Sequence, residues 1–397
     1  MPKVKLMSET SLKPAVNPLK AVQKVTKVAL LSCGLGRINQ GVEVSTARLF
    51  EAIKQSPDVK VRLFSGGPFP GSTQVPNLPR DFLLSTVLKL ASLINQRRVW
   101  EFAYGVEQVT YALGVIVPLA QWQPQVVWTK EAPLAHVLLV LRDLLKLKFK
   151  IVFANGCGFK PTTYKMFDYI QHLQSSSYED AIKYGISPDK MQILSNVLPP
   201  LSTTVSRQAA RASFGFRKED WVVISVAAWD RYRKRIDYLI EEVAAIQDED
   251  TRLLLCGHPQ PDVGYLKSLA KKRLGNKVQW HTLPKDEIPR ALAAADVFVL
   301  ASTGELFGGA AVEAVLAELP VVMHPHGASR ILSEHGFTAT DLSKPGNLAT
   351  RLTELRKTPP DAKSLKKLAT ALKSSLSEAN LTKKFVNMIQ QVAANGE

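Results

Sequence analysis

Two carboxylates eight positions apart, Glu305 and Glu313, bracket a pair of glycines, Gly308 and Gly309, in the stretch ELFGGAAVE. An ionised glutamate accepts hydrogen bonds and donates none, so this pair suits hydroxyl groups. The glycines let backbone approach a ligand closely. A helix starting beside them would offer unpaired N–H groups and a dipole end of about +0.5 charge to an anion. A ligand presenting both hydroxyls and phosphate, as a nucleotide sugar does, satisfies both halves of the pattern. A second charged group, Arg231, Arg233 and Lys234 in WDRYRKR, suits a diphosphate. Each charge-assisted hydrogen bond there would contribute on the order of 1.5–3 kcal/mol.

The elements that must position these groups are legible around them. Val297 to Leu300 is wholly apolar and reads as a buried parallel strand. Val312, Val315, Leu316 and Leu319 then recur at helical spacing until Pro320, which opens the next apolar run, Pro320 to Met323. This βαβ unit puts the glycines and glutamates at the carboxyl end of a strand, where open α/β sheets bind ligands. Trp221 to Ala228, Leu253 to Gly257 and Val278 to His281 read as further strands of the same sheet. In the first half, Val28 to Ser32, Val59 to Phe64, Val126 to Trp128, Phe149 to Phe153 and Tyr169 to Leu173 do the same, with a helix over about Glu43 to Gln55. Strand and helix patterns alternate throughout, which predicts doubly wound parallel sheets.

The pattern E-x-F-G-x-x-x-x-E at Glu305, Phe307, Gly308 and Glu313, followed by LPVV and Gly327, resembles the donor-site signature of glycosyltransferase family 4, retaining nucleotide-sugar enzymes of the GT-B fold. The resemblance is carried from about Trp221 to Gly336 and is thinner before that. It implies an α/β chain of the GT-B type, two Rossmann-like doubly wound parallel-sheet domains facing across a cleft. Residues 1–26 would then be a basic flexible lead-in, 27–198 the acceptor-side domain and 199–376 the donor-binding domain. Residues 377–397 would form a helix packing back on the first domain. The resemblance gives Glu305 and Lys234 catalytic roles. Trp229 stands where the family has an arginine, which leaves the guanidinium role to Arg231 or Arg233. Where the family has a histidine near the reacting sugar carbon, this chain has Ala154 and Asn155, leaving Asn155 as a hydrogen-bond donor to the sugar. Phe307, Gly308, Gly309, Glu313 and Arg233 are expected to bind the donor, with Gly257 ahead of HPQPD and with Gly34 and Gly36 from across the cleft. The segment Trp280 to Pro284 would meet the nucleobase. His136 and His172 read as structural.

A chain of 397 residues fits two domains, and 46% hydrophobic with 22% charged residues is ordinary for a soluble protein. The formal charge of +16 is not. Residues 1–100 hold 15 Lys and Arg against 5 Asp and Glu, which predicts an anionic partner for the first half. Arg80 to Trp100, with Lys89, Arg97 and Arg98, and Ala135 to Lys150, with Arg142, Lys146 and Lys148, mix apolar clusters with basic residues and could lie on an anionic membrane. No continuous apolar run reaches the ~18 residues of a membrane span. A cytoplasmic protein, peripheral on the inner face of the membrane, is therefore expected. Cys33, Cys157 and Cys256 lack metal-ligand spacing and are expected as free thiols, with no metal and no cofactor beyond the donor substrate. The glycines of CGLGRINQG fail as a dinucleotide fingerprint. Asn39 holds the third glycine position, and no acidic residue follows Phe64, Ser65 and Gly66. Nucleic acid is not expected as a partner.

The reading is a retaining transferase moving a sugar from a nucleotide diphosphate sugar to an acceptor hydroxyl of a carbohydrate or lipid-linked molecule, in polysaccharide or glycolipid synthesis. The alternative is a non-catalytic protein that binds nucleotide sugar or lipid phosphate on the same scaffold.

Overall fold

The computed structural model describes residues 25–38, 40–87, 96–156, 159–197, 205–305 and 307–395. Most of the basic lead-in, the proline-bearing link at 198–204, Asn39, Lys89 and Cys157 lie outside them. Twelve strands form two parallel sheets. The first holds β1 (Thr26–Ser32), β2 (Val59–Ser65), β3 (Ser72–Gln74), β4 (Val126–Thr129), β5 (Lys150–Asn155), β6 (Tyr169–His172) and β7 (Met191–Ile193), in the order β3-β2-β1-β4-β5-β6-β7. The second holds β8 (Trp221–Val226), β9 (Thr251–Cys256), β10 (Val278–His281), β11 (Val297–Leu300) and β12 (Val321–Met323), in the order β10-β9-β8-β11-β12. Each sheet is covered on both faces, which is why its central strands are apolar without alternation: Val28 to Leu31 and Val297 to Leu300 are all buried. Strand order reverses between β1 and β4 and again between β8 and β11. At such switch points neighbouring loops diverge and open a crevice at the carboxyl ends of the strands.

The helix Glu378–Ala394 returns to the first domain. Its Leu381, Phe385, Met388 and Ile389 join the core formed by Val28, Leu30 and Trp128. Phe385 meets the Trp128 ring edge-on at 6.2 Å. By contrast, Leu372 of the helix Ala362–Ser375 packs in the second-domain core.

The sequence reading missed the helix Gln96–Trp122, 27 residues long with Pro118 inside it. Its Arg98–Trp122 portion is long and apolar enough to cross a membrane by length and composition. The inner side is core, with Tyr111, Ala112, Val115 and Leu119 fully buried. The carboxylates Glu101 and Glu107 interrupt its apolar pattern, and Glu107 is itself fully buried.

Glu107 belongs to a polar network at the β1/β4 switch point that buries Arg80, the first residue of the Arg80 to Trp100 stretch, whereas Arg98 of that stretch is exposed. Arg80 is 3% exposed. It is ion-paired with Glu107 and with Glu43 (3.4 Å), and it lies 3.8 Å from the Tyr104 ring centroid. Trp100 meets the Tyr104 ring at a tilt, with centroids 5.2 Å apart. The Cys33 thiol donates to Glu131 Oε1 (2.9 Å), and the Cys33 N–H donates to Oε2 (3.0 Å).

Burial pushes the Glu131 carboxyl up to about 7, from an ordinary value of 4.5. The folded protein therefore keeps this proton through a pH range in which the unfolded chain has lost it. Its contribution to stability is present below about pH 4.5, is lost as pH rises to about 7, and is constant above that. Glu131→Gln removes the titrating group. Denaturation of both proteins at pH 5 and pH 8 should show the variant gaining on wild type by on the order of 3 kcal/mol at the higher pH. A difference that does not move with pH contradicts this.

Candidate active site

The second switch point gathers Lys234 from the loop after β8 and Glu305 from the loop after β11. Asp230 shapes the first loop: its Oδ1 accepts the N–H groups of Arg233 (2.6 Å) and Lys234 (3.1 Å), a turn that projects Lys234 over the sheet edge. The Lys234 ammonium is ion-paired with Glu305, and the Ser302 hydroxyl donates to Glu305 Oε1 at 3.0 Å. Arg235 holds a left-handed backbone (φ 51°) and ties the two loops together, donating to the carbonyls of Ala301 (3.2 Å) and Leu342 (2.7 Å). Asp230, Arg235 and Ser302 escaped the sequence reading. Only the short span from Asp230 to Lys234 hinted at an aspartate-capped turn.

Gly308 caps the helix Gly309–Leu316 at φ 59°, ψ 43°, a conformation a side chain would strain. Among the described residues, no side chain caps the start of that helix, which follows Glu305 by a few residues. Phe307 is 7% exposed and packs in the second-domain core, which anchors the turn. Glu313, one turn into the helix, is buried and accepts from Arg48 Nη2 at 3.0 Å. Arg48 comes from the helix Gly41–Ile53 of the first domain, so this ion pair crosses the cleft. Burial raises the Glu313 pKa, and the Arg48 charge opposes that rise.

His326 follows β12 into the same crevice, in a segment HPHG that the sequence reading passed over. Burial pushes its imidazole down to about 4, with Glu305 opposing and His324 and Lys234 reinforcing the shift. It is therefore neutral at pH 7, and neither ring nitrogen has a protein hydrogen-bond partner.

Other expected site residues are placed elsewhere. Arg231 pairs with Asp237 (3.4 Å) and lies 4.0 Å over the Tyr265 ring, while Arg233 stays largely exposed near Asp230 (3.8 Å). Trp229 is buried and meets Trp280 edge-on at 5.0 Å. Asn155 is fully buried, accepting the Phe159 N–H (3.2 Å) and donating to the Phe159 carbonyl (3.5 Å), so its amide braces the loop after β5. The three outlying glycines serve close packing. A Cβ on Gly34 would run into Glu43 and Arg80, one on Gly257 into the Ala227 carbonyl, and one on Gly36 (φ 89°) into the backbone of Gly67 and Pro68. His136 bonds the Ala132 carbonyl (2.7 Å) and His172 the Ser177 hydroxyl (3.1 Å), both structural. Cys33 and Cys256 are buried free thiols. Among the described residues no group of three or more His, Cys, Asp or Glu is arranged to hold a metal ion.

Residues 220–357, which carry Lys234, Glu305 and Glu313, match the family described as glycosyl transferases group 1. The chain is 26% identical over 174 residues to 2-deoxystreptamine glucosyltransferase of Streptomyces kanamyceticus, an alignment spanning 43% of this chain and 42% of that protein. Among solved structures, sucrose-phosphate synthase of Thermosynechococcus elongatus superposes with a TM-score of 0.74 at 17% identity, over 93% of this chain and 100% of that one. HepE of Anabaena, solved in complex with UDP-glucose, gives 0.70 at 16% identity over 91% and 98%. The fold is GT-B. In this GT-B chain the two switch points belong to different domains, and Arg48–Glu313 links the helices that follow β1 and β11. A second cross-domain pair, Arg330–Glu179 (3.3 Å), lies where Gly327 packs against the Gln174 side chain.

Proposed function

We propose that the protein is a retaining glycosyltransferase that moves a sugar from a nucleotide diphosphate sugar to an acceptor hydroxyl, without a metal ion. The observation that carries this reading is the Lys234–Glu305 pair beside the Gly308-capped helix start, with Glu313 one turn further on. Helix N–H groups and Lys234 receive the diphosphate, and the carboxylates receive hydroxyls. The bond from the anomeric carbon to the diphosphate breaks, the acceptor oxygen bonds to that carbon from the same face, and the acceptor's proton passes to the departing diphosphate. Such a reaction needs positioned charge and no protein nucleophile. The UDP-glucose bound by HepE and the glucosyl transfer named for the Streptomyces relative make UDP-sugars the first donors to try. A thermal-shift screen of nucleotide diphosphate sugars, followed by mass spectrometry of products formed on lipid-extract acceptors, tests the reading. A stabilising donor and a sugar-bearing product are expected; the absence of both contradicts it. Trp229 at the arginine position and the buried Asn155 favour the second reading, a non-catalytic binder. Donor binding without turnover on any acceptor would establish it.

The acceptor side is proposed to sit on the inner face of a membrane, in polysaccharide or glycolipid synthesis. Two adjacent helices of the first domain, Gln96–Trp122 and Ala132–Leu144, leave apolar side chains in solvent: Phe102, Val109, Leu113 and Val117 on one, Val140 and Leu144 on the other. Arg98, Lys146 and Lys148 are exposed nearby, which complements an anionic lipid surface. Replacing Leu113 and Val117 with glutamate is expected to lower binding to phosphatidylglycerol-containing vesicles by about tenfold or more. Equal cosedimentation of variant and wild type contradicts membrane docking through this face.

A further inference from the structure

The loop after β8 supplies one engaged cation, Lys234, and its charge is already shared with Glu305. The arginine expected there is Trp229, buried against Trp280, and Arg231 and Arg233 are turned to other partners. A diphosphate carries negative charge on each phosphate and is best matched by a planar guanidinium able to donate in pairs. The opposite wall of the cleft provides one. Arg48 reaches from the helix Gly41–Ile53 to Glu313, with side chains only 16% and 11% exposed. Burial depresses Arg48 and raises Glu313, and each is held charged by the other. Neither can lose its partner there without a large cost, so Arg48 leaves Glu313 only for another anion.

We propose that Arg48 is the guanidinium that clamps the donor diphosphate, delivered from the first domain across the cleft. This rests on the nucleotide-sugar reading of the site. On donor entry the hydroxyl groups take over Glu313. Arg48 moves about one helical turn, on the order of 5 Å, to the phosphates at the start of the helix Gly309–Leu316. The buried carboxylate keeps hydrogen bonds and the buried guanidinium keeps an anion, so the exchange leaves no charge stranded. It also makes the first domain part of the donor site, so domain closure and donor binding become one event.

The test is calorimetric titration of UDP, GDP and ADP, and of uridine, guanosine and adenosine, into wild type, Arg48→Ala and Arg48→Lys, with a melting curve for each protein. Arg48→Ala is expected to lower the preference for diphosphate over its nucleoside by about tenfold or more, with partial recovery in Arg48→Lys. Should the alanine variant fail to fold, Arg48→Lys carries the comparison. It keeps the charge facing Glu313 but loses the paired donors, and it should still favour diphosphate over nucleoside less than wild type does. Diphosphate affinity that is unchanged or tighter without the guanidinium overturns the proposal, because Arg48 would then merely cover Glu313. Failure of wild type to bind any of the three diphosphates overturns the nucleotide-sugar reading together with the clamp, whereas binding indifferent to Arg48 overturns the clamp alone.

Discussion

Lys234→Ala is expected to lower sugar transfer by roughly 10²–10³-fold, about 3–4 kcal/mol in the barrier, with the fold intact. The turn that carries Lys234 is set by the Asp230 carboxylate through backbone N–H groups, so truncating the side chain leaves the loop in place. What is lost is the positive charge paired with Glu305, the one proposed to face the departing diphosphate as the sugar bond breaks. Glu305 loses its ion partner and keeps only the Ser302 hydroxyl. Glu305→Ala should reduce transfer comparably by a different route, since it removes an acceptor for sugar hydroxyls. Assaying nucleoside diphosphate release on saturating donor and acceptor, with melting curves to show that both variants fold, checks both. Wild-type-like turnover in either variant refutes its assigned role.

Arg80→Ala should cost about 3–5 kcal/mol of stability, the largest single-residue effect expected outside the site. The guanidinium pairs with Glu107 and Glu43, both buried, and lies over the Tyr104 ring. Burial raises the pKa of each carboxylate and Arg80 holds it back, so without Arg80 both rise further. The two groups can then escape the penalty by taking up protons, which they do more readily in acid. Denaturant unfolding of the first domain should therefore show a smaller loss at pH 5 than at pH 8. A loss under about 1 kcal/mol, or one that is larger at pH 5, contradicts the network's role.

Local chemistry was legible in the sequence, and long-range pairing was not. β11 begins and ends where its apolar run does, because a strand covered on both faces must be apolar throughout. Gly308 and Glu305 were readable because a glycine at a helix start and a strand-end carboxylate declare themselves within a few residues, and Lys234 because its loop resembles the family pattern. β3, three polar residues on a sheet edge, carries no such pattern. The burial of Arg80 left no local signal because Glu107 lies 27 positions away, and the pairing of Cys33 with Glu131 spans 98. Arg48 and Glu313 are separated by 265 positions, and nothing near either one foretells their meeting. The glycines at 34, 36 and 257 were ambiguous for a related reason. Close approach of backbone to backbone and close approach of backbone to phosphate demand the same residue, and only the fold shows which partner is present.

The measurement that bears most directly on the central claim is a crystal structure with the nucleotide diphosphate sugar that the thermal screen selects. The account predicts diphosphate density within hydrogen-bond distance of Lys234 Nζ and the N–H groups at the start of the helix Gly309–Leu316, with donor hydroxyls on Glu305 and Glu313. Density for the donor anywhere else, with Lys234 still closed on Glu305 and Arg48 on Glu313, would contradict it.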